Sequence, residues 1–215
     1  VVTYSAAISA CEKGQEWELA LALLREMGPL KLQPDAISFN AVLSACEKCH
    51  RQKYPLALLR EMERRKLEPD EVSYAGAVSS CEKSQKWVSA LALLGEMERR
   101  GLEPNAIACT AAIRACARRG RWKPAAALLA DMRRAGLEPN AISYNAAIIA
   151  CEAGGQWEQA LALLGEMCER GPAPDVASYG AAVGACERGR QWEHAVWLLN
   201  DGVAALGLGS VLAVA

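Results

Sequence analysis

One stretch of this chain spells a reactive motif outright. Cys46-Glu47-Lys48-Cys49-His50 is a C-x-x-C-H run, the pattern that attaches haem covalently. Cys46, Cys49 and His50 could also be read as ligands for zinc. The first cysteine, however, belongs to a row: Cys11, Cys46, Cys81, Cys116, Cys151 and Cys186 stand 35 residues apart. Cys49 takes the place that Gly14 holds one interval earlier. A residue repeated at a fixed register is part of the framework, so no haem, no metal and no other cofactor is expected. The only other histidine is His194, with no Ser-His-Asp set and no glycine-rich phosphate loop, so an enzyme is not expected. Recurring carboxylates such as Glu12 and Glu26 read as solvated helix faces.

The elements behind these residues share that period. Methionine falls at 27, 62, 97, 132 and 167, and proline at 34, 69, 104, 139 and 174. A period of this length means stacked units that each contact their neighbours. Six units cover 1–35, 36–70, 71–105, 106–140, 141–175 and 176–210, and 211–215 would be a tail or the start of a further unit. In the first unit, Tyr4, Ala7, Ile8 and Cys11 share one face of a predicted helix over Val2–Lys13. Trp17, Ala20, Leu21, Leu24 and Met27 form the stripe of a second helix, and the short turn between them demands an antiparallel pair. Runs such as Gly101-Leu102-Glu103-Pro104 stop the second helix, whereas Pro55 and Pro124 fit its first turn. One hairpin cannot bury both stripes, so the hairpins must stack. The second unit departs most: Gln52 replaces the tryptophan seen in the other units, and Tyr54 is expected to fill part of the missing volume. The sixth has Gly202 for methionine and Gly209 for proline.

Apolar residues make up 52% of the chain, enough for a continuous core. The row cysteines should lie about one helix spacing apart, roughly 8–10 Å, too far for disulfides. They read as reduced core thiols, which suits a reducing compartment. No membrane span and no targeting segment is visible, and the in-register start and uncharged end suggest a fragment of a longer array.

The side of the first helix turned away from the core carries Val2, Ser5, Ser9 and Lys13. An aliphatic platform, small hydrogen-bonding groups and a cation suit a nucleobase with its phosphate. Any solvent-facing helix also carries polar residues, and a net charge of -1 is not that of a simple polyanion binder. The pattern alone leaves both explanations open.

The unit "VVTYSAAISACEKGQEWELALALLREM", and copies such as "AISYNAAIIACEAGGQWEQALALLGEM", resemble the pentatricopeptide repeat family, with its 35-residue period and terminal Pro-Asp. The 34-residue tetratricopeptide unit differs, since its tryptophan lies early in the first helix. The resemblance covers about the whole chain. It implies an all-α, right-handed superhelical solenoid of helix-turn-helix repeats that binds single-stranded RNA, one base per repeat. In that family the fifth and last residues of a unit read the base. Carried over, Ser5 with Asp35 implies guanine, Asn40 with Asp70 and Asn145 with Asp175 imply uracil, and Thr110 with Asn140 implies adenine. Ala75 with Asn105, and Gly180 with Ser210, depart from the usual types. The implied target is 5′-G-U-N-A-U-N-3′. Val2, Ile37, Val72, Ile107 and Ile142 would pack against bases, with Ala177 a weaker member. Lys13, Lys48, Lys83, Arg118 and Arg188 are candidates for phosphate contact, and Ala153 breaks their row. The resemblance further implies a mitochondrial or chloroplast role in RNA processing, stability, editing or translation, with RNA-processing proteins as further partners and no membrane or small-molecule substrate. The competing expectation is a protein-binding scaffold without RNA recognition.

Overall fold

The computed structural model describes residues 2–30, 32–49 and 54–205, the side chains of Val2, Asp201 and 203–205 excepted. His50, Gln52, Gly209, Ser210 and 211–215 lie outside the described residues. The described residues form twelve α-helices and no strand. The first helices of the repeats are α1 (Val2–Lys13), α3 (Ala36–Lys48), α5 (Glu71–Lys83), α7 (Ala106–Ala117), α9 (Ala141–Ala153) and α11 (Val176–Arg188). The second helices are α2 (Trp17–Glu26), α4 (Tyr54–Arg64), α6 (Trp87–Arg99), α8 (Trp122–Arg134), α10 (Trp157–Arg170) and α12 (Trp192–Ala205). The hairpins assemble into two compact units, 1–111 and 112–215. In the first unit α3 packs between α1 and α5, with α2 and α4 also against it. In the second, α9 packs on α11, with α10 against both.

In five of the hairpins the turn closes on the row cysteine. The N–H groups of Glu16, Lys86, Arg121, Gln156 and Gln191 donate to the carbonyls of Cys11, Cys81, Cys116, Cys151 and Cys186 at 2.8–3.0 Å. Such a six-to-one bond requires a left-handed residue just before the donor. Gln15, Gln85, Gly120, Gly155 and Arg190 supply it, with φ between 56° and 66°. Glycine adopts this conformation freely, whereas the three longer side chains do so at a cost.

The core follows the repeat. Met27, Met62, Met97, Met132 and Met167 are all buried, as are the six row cysteines. Burial pushes the thiols of Cys46, Cys81, Cys116 and Cys151 up to about 11. They stay protonated at neutral pH and behave as small hydrophobes. The Cys49 thiol donates to the Gln15 carbonyl at 2.9 Å.

Tryptophans key successive repeats together. A Cβ on Gly189 would stand 2.5 Å from Cδ1 of Trp157, and one on Gly154 2.8 Å from that of Trp122. The Trp157 ring also faces His194 at 5.0 Å, and the Trp17 ring faces Tyr54 at 5.1 Å. Tyr54 therefore packs on the tryptophan of the preceding repeat. Residue 54 of the second repeat has the same register as His194, and Gln52, whose missing volume Tyr54 was expected to fill in part, lies outside the described residues.

Candidate nucleic-acid interface

The last residue of a repeat caps the first helix of the next. Asp35, Asp70, Asn140 and Asp175 each accept from a serine N–H three residues on, and Asn105 accepts from Ala108. Proline ends one helix, and the short polar side chain after it satisfies an orphan donor of the next. The position that resemblance assigns to base reading thus has a structural duty of its own.

That cap is tied to the fifth residue of the preceding repeat. Asn40 Nδ2 donates to both oxygens of Asp70 at 3.1 Å, and Asn145 Nδ2 to those of Asp175 at 3.1 and 3.2 Å. A carboxylate only accepts, so the amide must turn its NH2 toward it. The amide oxygen then faces a buried serine: Ser73 Oγ lies 2.6 Å from Asn40 Oδ1, and Ser178 Oγ 2.6 Å from Asn145 Oδ1. The same hydroxyls lie 2.8 and 2.9 Å from the aspartates, so each serine proton is shared between amide and carboxylate. One N–H and one carbonyl lone pair of each asparagine remain for a ligand. In the first repeat, Ser5 and Ser38 hydroxyls are 2.9 Å apart and Ser38 donates to Asp35 at 2.7 Å.

These bonds hold the carboxylates ionised. The Ser38 hydroxyl and N–H keep Asp35 below the usual carboxylate range against partial burial. Burial pushes Asp70 up, but the Ser73 N–H, the Ser73 hydroxyl and Asn40 outweigh it and the carboxyl is lowered. Asp175 is lowered first by the Ser178 N–H, then by the Ser178 hydroxyl and Asn145.

The other fifth residues differ. Ala75 and Thr110 are 8% and 9% exposed, so neither projects as Asn40 does, and Gly180 is exposed without a side chain. Asn105 has Ala75 and Ala108 where Asp70 has Asn40 and Ser73. Ser210 lies outside the described residues, and so does the side chain of Val2. The second residues stand out clearly: Ile37, Val72, Ile107 and Ile142 are 55–68% exposed. Ala177 is exposed too, beside Val176 at 66%.

The cations predicted to meet phosphate are drawn into a ladder. Lys48 Nζ lies 3.0 Å from Glu12, Lys83 Nζ 3.8 Å from Glu47, and Arg188 Nε 3.6 Å from Glu152. Lys83 also donates to the Glu47 carbonyl at 2.7 Å, and Ser44 to Glu12 at 2.7 Å. Partial burial raises Glu12, but the Ser44 hydroxyl and Lys48 more than offset it; Glu47 is raised, burial outweighing Lys83. Lys13 and Arg118 are exposed. Glu12, Glu47 and Glu152 are therefore not simply solvated, as sequence alone suggests, but bridge successive first helices. Carboxylates on second helices have partners as well: Tyr74 and Tyr144 hydroxyls donate to Glu96 and Glu166 at 3.1 and 2.8 Å.

The serine row Ser38, Ser73, Ser143 and Ser178 is absent from the residues singled out by sequence. Each is fully buried, and the 35-residue spacing is the signal that could have found them.

The pentatricopeptide repeat domain model matches residues 1–49, 92–155 and 128–188, and the PPR repeat model matches 72–102. No curated protein sequence matches the chain. The chain is similar to the maize pentatricopeptide repeat protein PPR10 at 28% identity, over 95% of this chain and 29% of that one, with a TM-score of 0.66. It is also similar to PPR10 in complex with an 18-nt psaJ RNA element, at 27% identity over 94% and 30%, with a TM-score of 0.70. The PPR domain of Arabidopsis thaliana protein-only RNase P 1 in complex with tRNA shares the fold at 16% identity, over 76% and 86%, with a TM-score of 0.67. This chain thus spans about 30% of the PPR10 chains. Period, caps, helix pairs and family models agree, and the chain belongs to the pentatricopeptide repeat family.

Proposed function

We propose that the protein binds single-stranded RNA in a sequence-specific manner, one base per repeat, and acts by occupancy rather than catalysis in organellar RNA metabolism. One observation carries this: the Asn40–Asp70–Ser73 and Asn145–Asp175–Ser178 sets present the same free donor and acceptor beside the exposed Ile37 and Ile142. Uracil offers an N–H flanked by carbonyl oxygens, which one amide N–H and one amide carbonyl complement. The aliphatic side chains give the base a surface to lie on, at the cost of being exposed when no RNA is there. Ser5 with Asp35 would read guanine and Thr110 with Asn140 adenine; Ala75 with Asn105, and Gly180 with Ser210, would read little. Phosphates would follow the ends of the first helices past Lys13, Lys48, Lys83, Arg118 and Arg188, where the bonds to glutamate reduce what the paired cations offer. The RNA-bound state of PPR10, which shares 27% identity, supports the reading.

The test is a titration of strands containing 5′-GUNAUN-3′ and of scrambled strands at two salt concentrations. Salt-sensitive preference for the first is expected. No binding at micromolar protein would favour a protein-binding scaffold instead.

A further inference from the structure

We propose that chains of this sequence associate head to tail, the α1–α2 hairpin of one copy docking on the α11–α12 hairpin of another as though it were the next repeat; the proposal is independent of the RNA reading above. Repeat hairpins bury their apolar stripes against neighbouring repeats, so a hairpin face without a neighbour stays exposed. Second helices seat the first helix of the following repeat: α2 packs on α3, α4 on α5, α8 on α9 and α10 on α11. The leucine at this seat is 0–5% exposed at Leu24, Leu59, Leu94, Leu129 and Leu164. Its counterpart on α12, Leu199, is 54% exposed, and Trp192 is 69% exposed where Trp122 and Trp157 are half-buried. The first helices show the converse. Val42, Ala77, Ala112, Ala147 and Ala182 are fully buried, and Ala45, Ser80, Ala115, Ala150 and Ala185 are buried too. The same two positions of α1 are open, with Ala7 half-buried and Ala10 exposed.

Charge and shape name the occupant. Within the chain, a twelfth-position glutamate meets the ninth and thirteenth residues of the following repeat: Glu12 accepts from Ser44 and from Lys48. Glu47 and Glu152 meet Lys83 and Arg188 at the same thirteenth position. On the open face of the sixth repeat Glu187 is exposed. The first repeat carries Ser9 and Lys13 at the matching positions, and Lys13 is exposed as well. The tryptophans lie against the fourteenth residue of the following repeat, Trp122 on Gly154 and Trp157 on Gly189. Gly14 holds that position directly after α1, so it can receive Trp192. A second copy of the first repeat thus brings serine, lysine and glycine in the register that Glu187 and Trp192 require. An interface of this kind joins two different faces, so it propagates from chain to chain unless it closes into a ring.

Sedimentation velocity of the intact chain from low to high micromolar concentration tests this, and the average mass should rise with concentration. Ala10→Arg and Leu199→Arg each place a charge on one exposed face, so both should keep their helices by circular dichroism and sediment as monomers. Mixed in equal amounts they should form dimers and nothing larger, because each retains the face that the other has lost. Lys13→Glu and Glu187→Lys should each weaken the association about fivefold, and the double variant, with the two charges exchanged, should recover it. A parent chain that sediments as a monomer throughout overturns the inference and leaves the α12 face to a different occupant, residues 206–215 or another protein. Unaltered association of either arginine variant, or a mixture that forms no dimer, overturns it equally.

Discussion

Two neighbouring junctions of the first unit were built from the same repeat and differ in chemistry. At one, Asn40, Asp70 and Ser73 form a closed set in which a buried hydroxyl fixes an amide against a carboxylate. One repeat on, Ala75, Asn105 and Ala108 retain only the helix cap, at 2.9 Å from Asn105 to the Ala108 N–H. The second unit reproduces the first arrangement in Asn145, Asp175 and Ser178, with the corresponding distances within 0.1 Å. Capping is thus the common duty of the last residue, and the closed polar set is added where an asparagine at the fifth position and the following serine come with it. Where they go, they go together.

The largest effect that separates the junctions should come from removing the cap. Asp70→Ala deletes the cap and strands both Ser73 and Asn40, and should cost about 2–3 kcal/mol. Asn105→Ala deletes a cap alone and should cost about 1 kcal/mol. Urea unfolding of the two variants reads the difference, and equal losses would mean the polar set adds nothing to the cap. Grafting is the converse: Ala75→Asn/Asn105→Asp/Ala108→Ser should create a preference for uracil at the third base, worth about 1–3 kcal/mol in competition binding.

Ser73→Ala should cost about 1 kcal/mol in stability and blunt uracil preference at the second base, because the amide loses the proton that orients it. Ser178→Ala should do the same at the fifth base.

The pH response should be smaller but sharper. Asp70 is depressed in the folded state, below an unfolded value of about 3.9. Its contribution is therefore present above the unfolded value and lost as pH falls through the folded one. Between pH 7 and about 4.5 nothing should change. Below that, the Ser73 amide resonance should move in a heteronuclear spectrum while that of Ala108, capped by an uncharged asparagine, stays put. A shift of Ser73 already complete by pH 5 would contradict the assignment.

The period, the helix pairs and the buried face were legible in the sequence because each is local: a 3.6-residue stripe, a short turn, a proline that stops a helix. Val2–Lys13 is the helix its periodicity predicts. The ladder was not legible, since Glu12 and Lys48 meet only when one repeat is laid on the next with an offset of 36 residues. A helical wheel assigns Ala75 and Thr110 to the open face, yet both are buried, which a single helix cannot show. The row of serines was visible as spacing and invisible as chemistry, because a buried hydroxyl gains a role only from the amide and carboxylate around it. The ring contact of Tyr54 was hidden for a related reason: its partner, Trp17, belongs to the repeat before it.

The most direct test changes one reading pair in the second unit, Asn145→Thr with Asp175→Asn, which gives the pair the types found at Thr110 and Asn140. Binding is then measured to strands that differ only at the fifth base. Preference should pass from uracil to adenine at that base and stay as before at the others. If uracil remains preferred there, the fifth and last residues are structural caps alone and do not read the base.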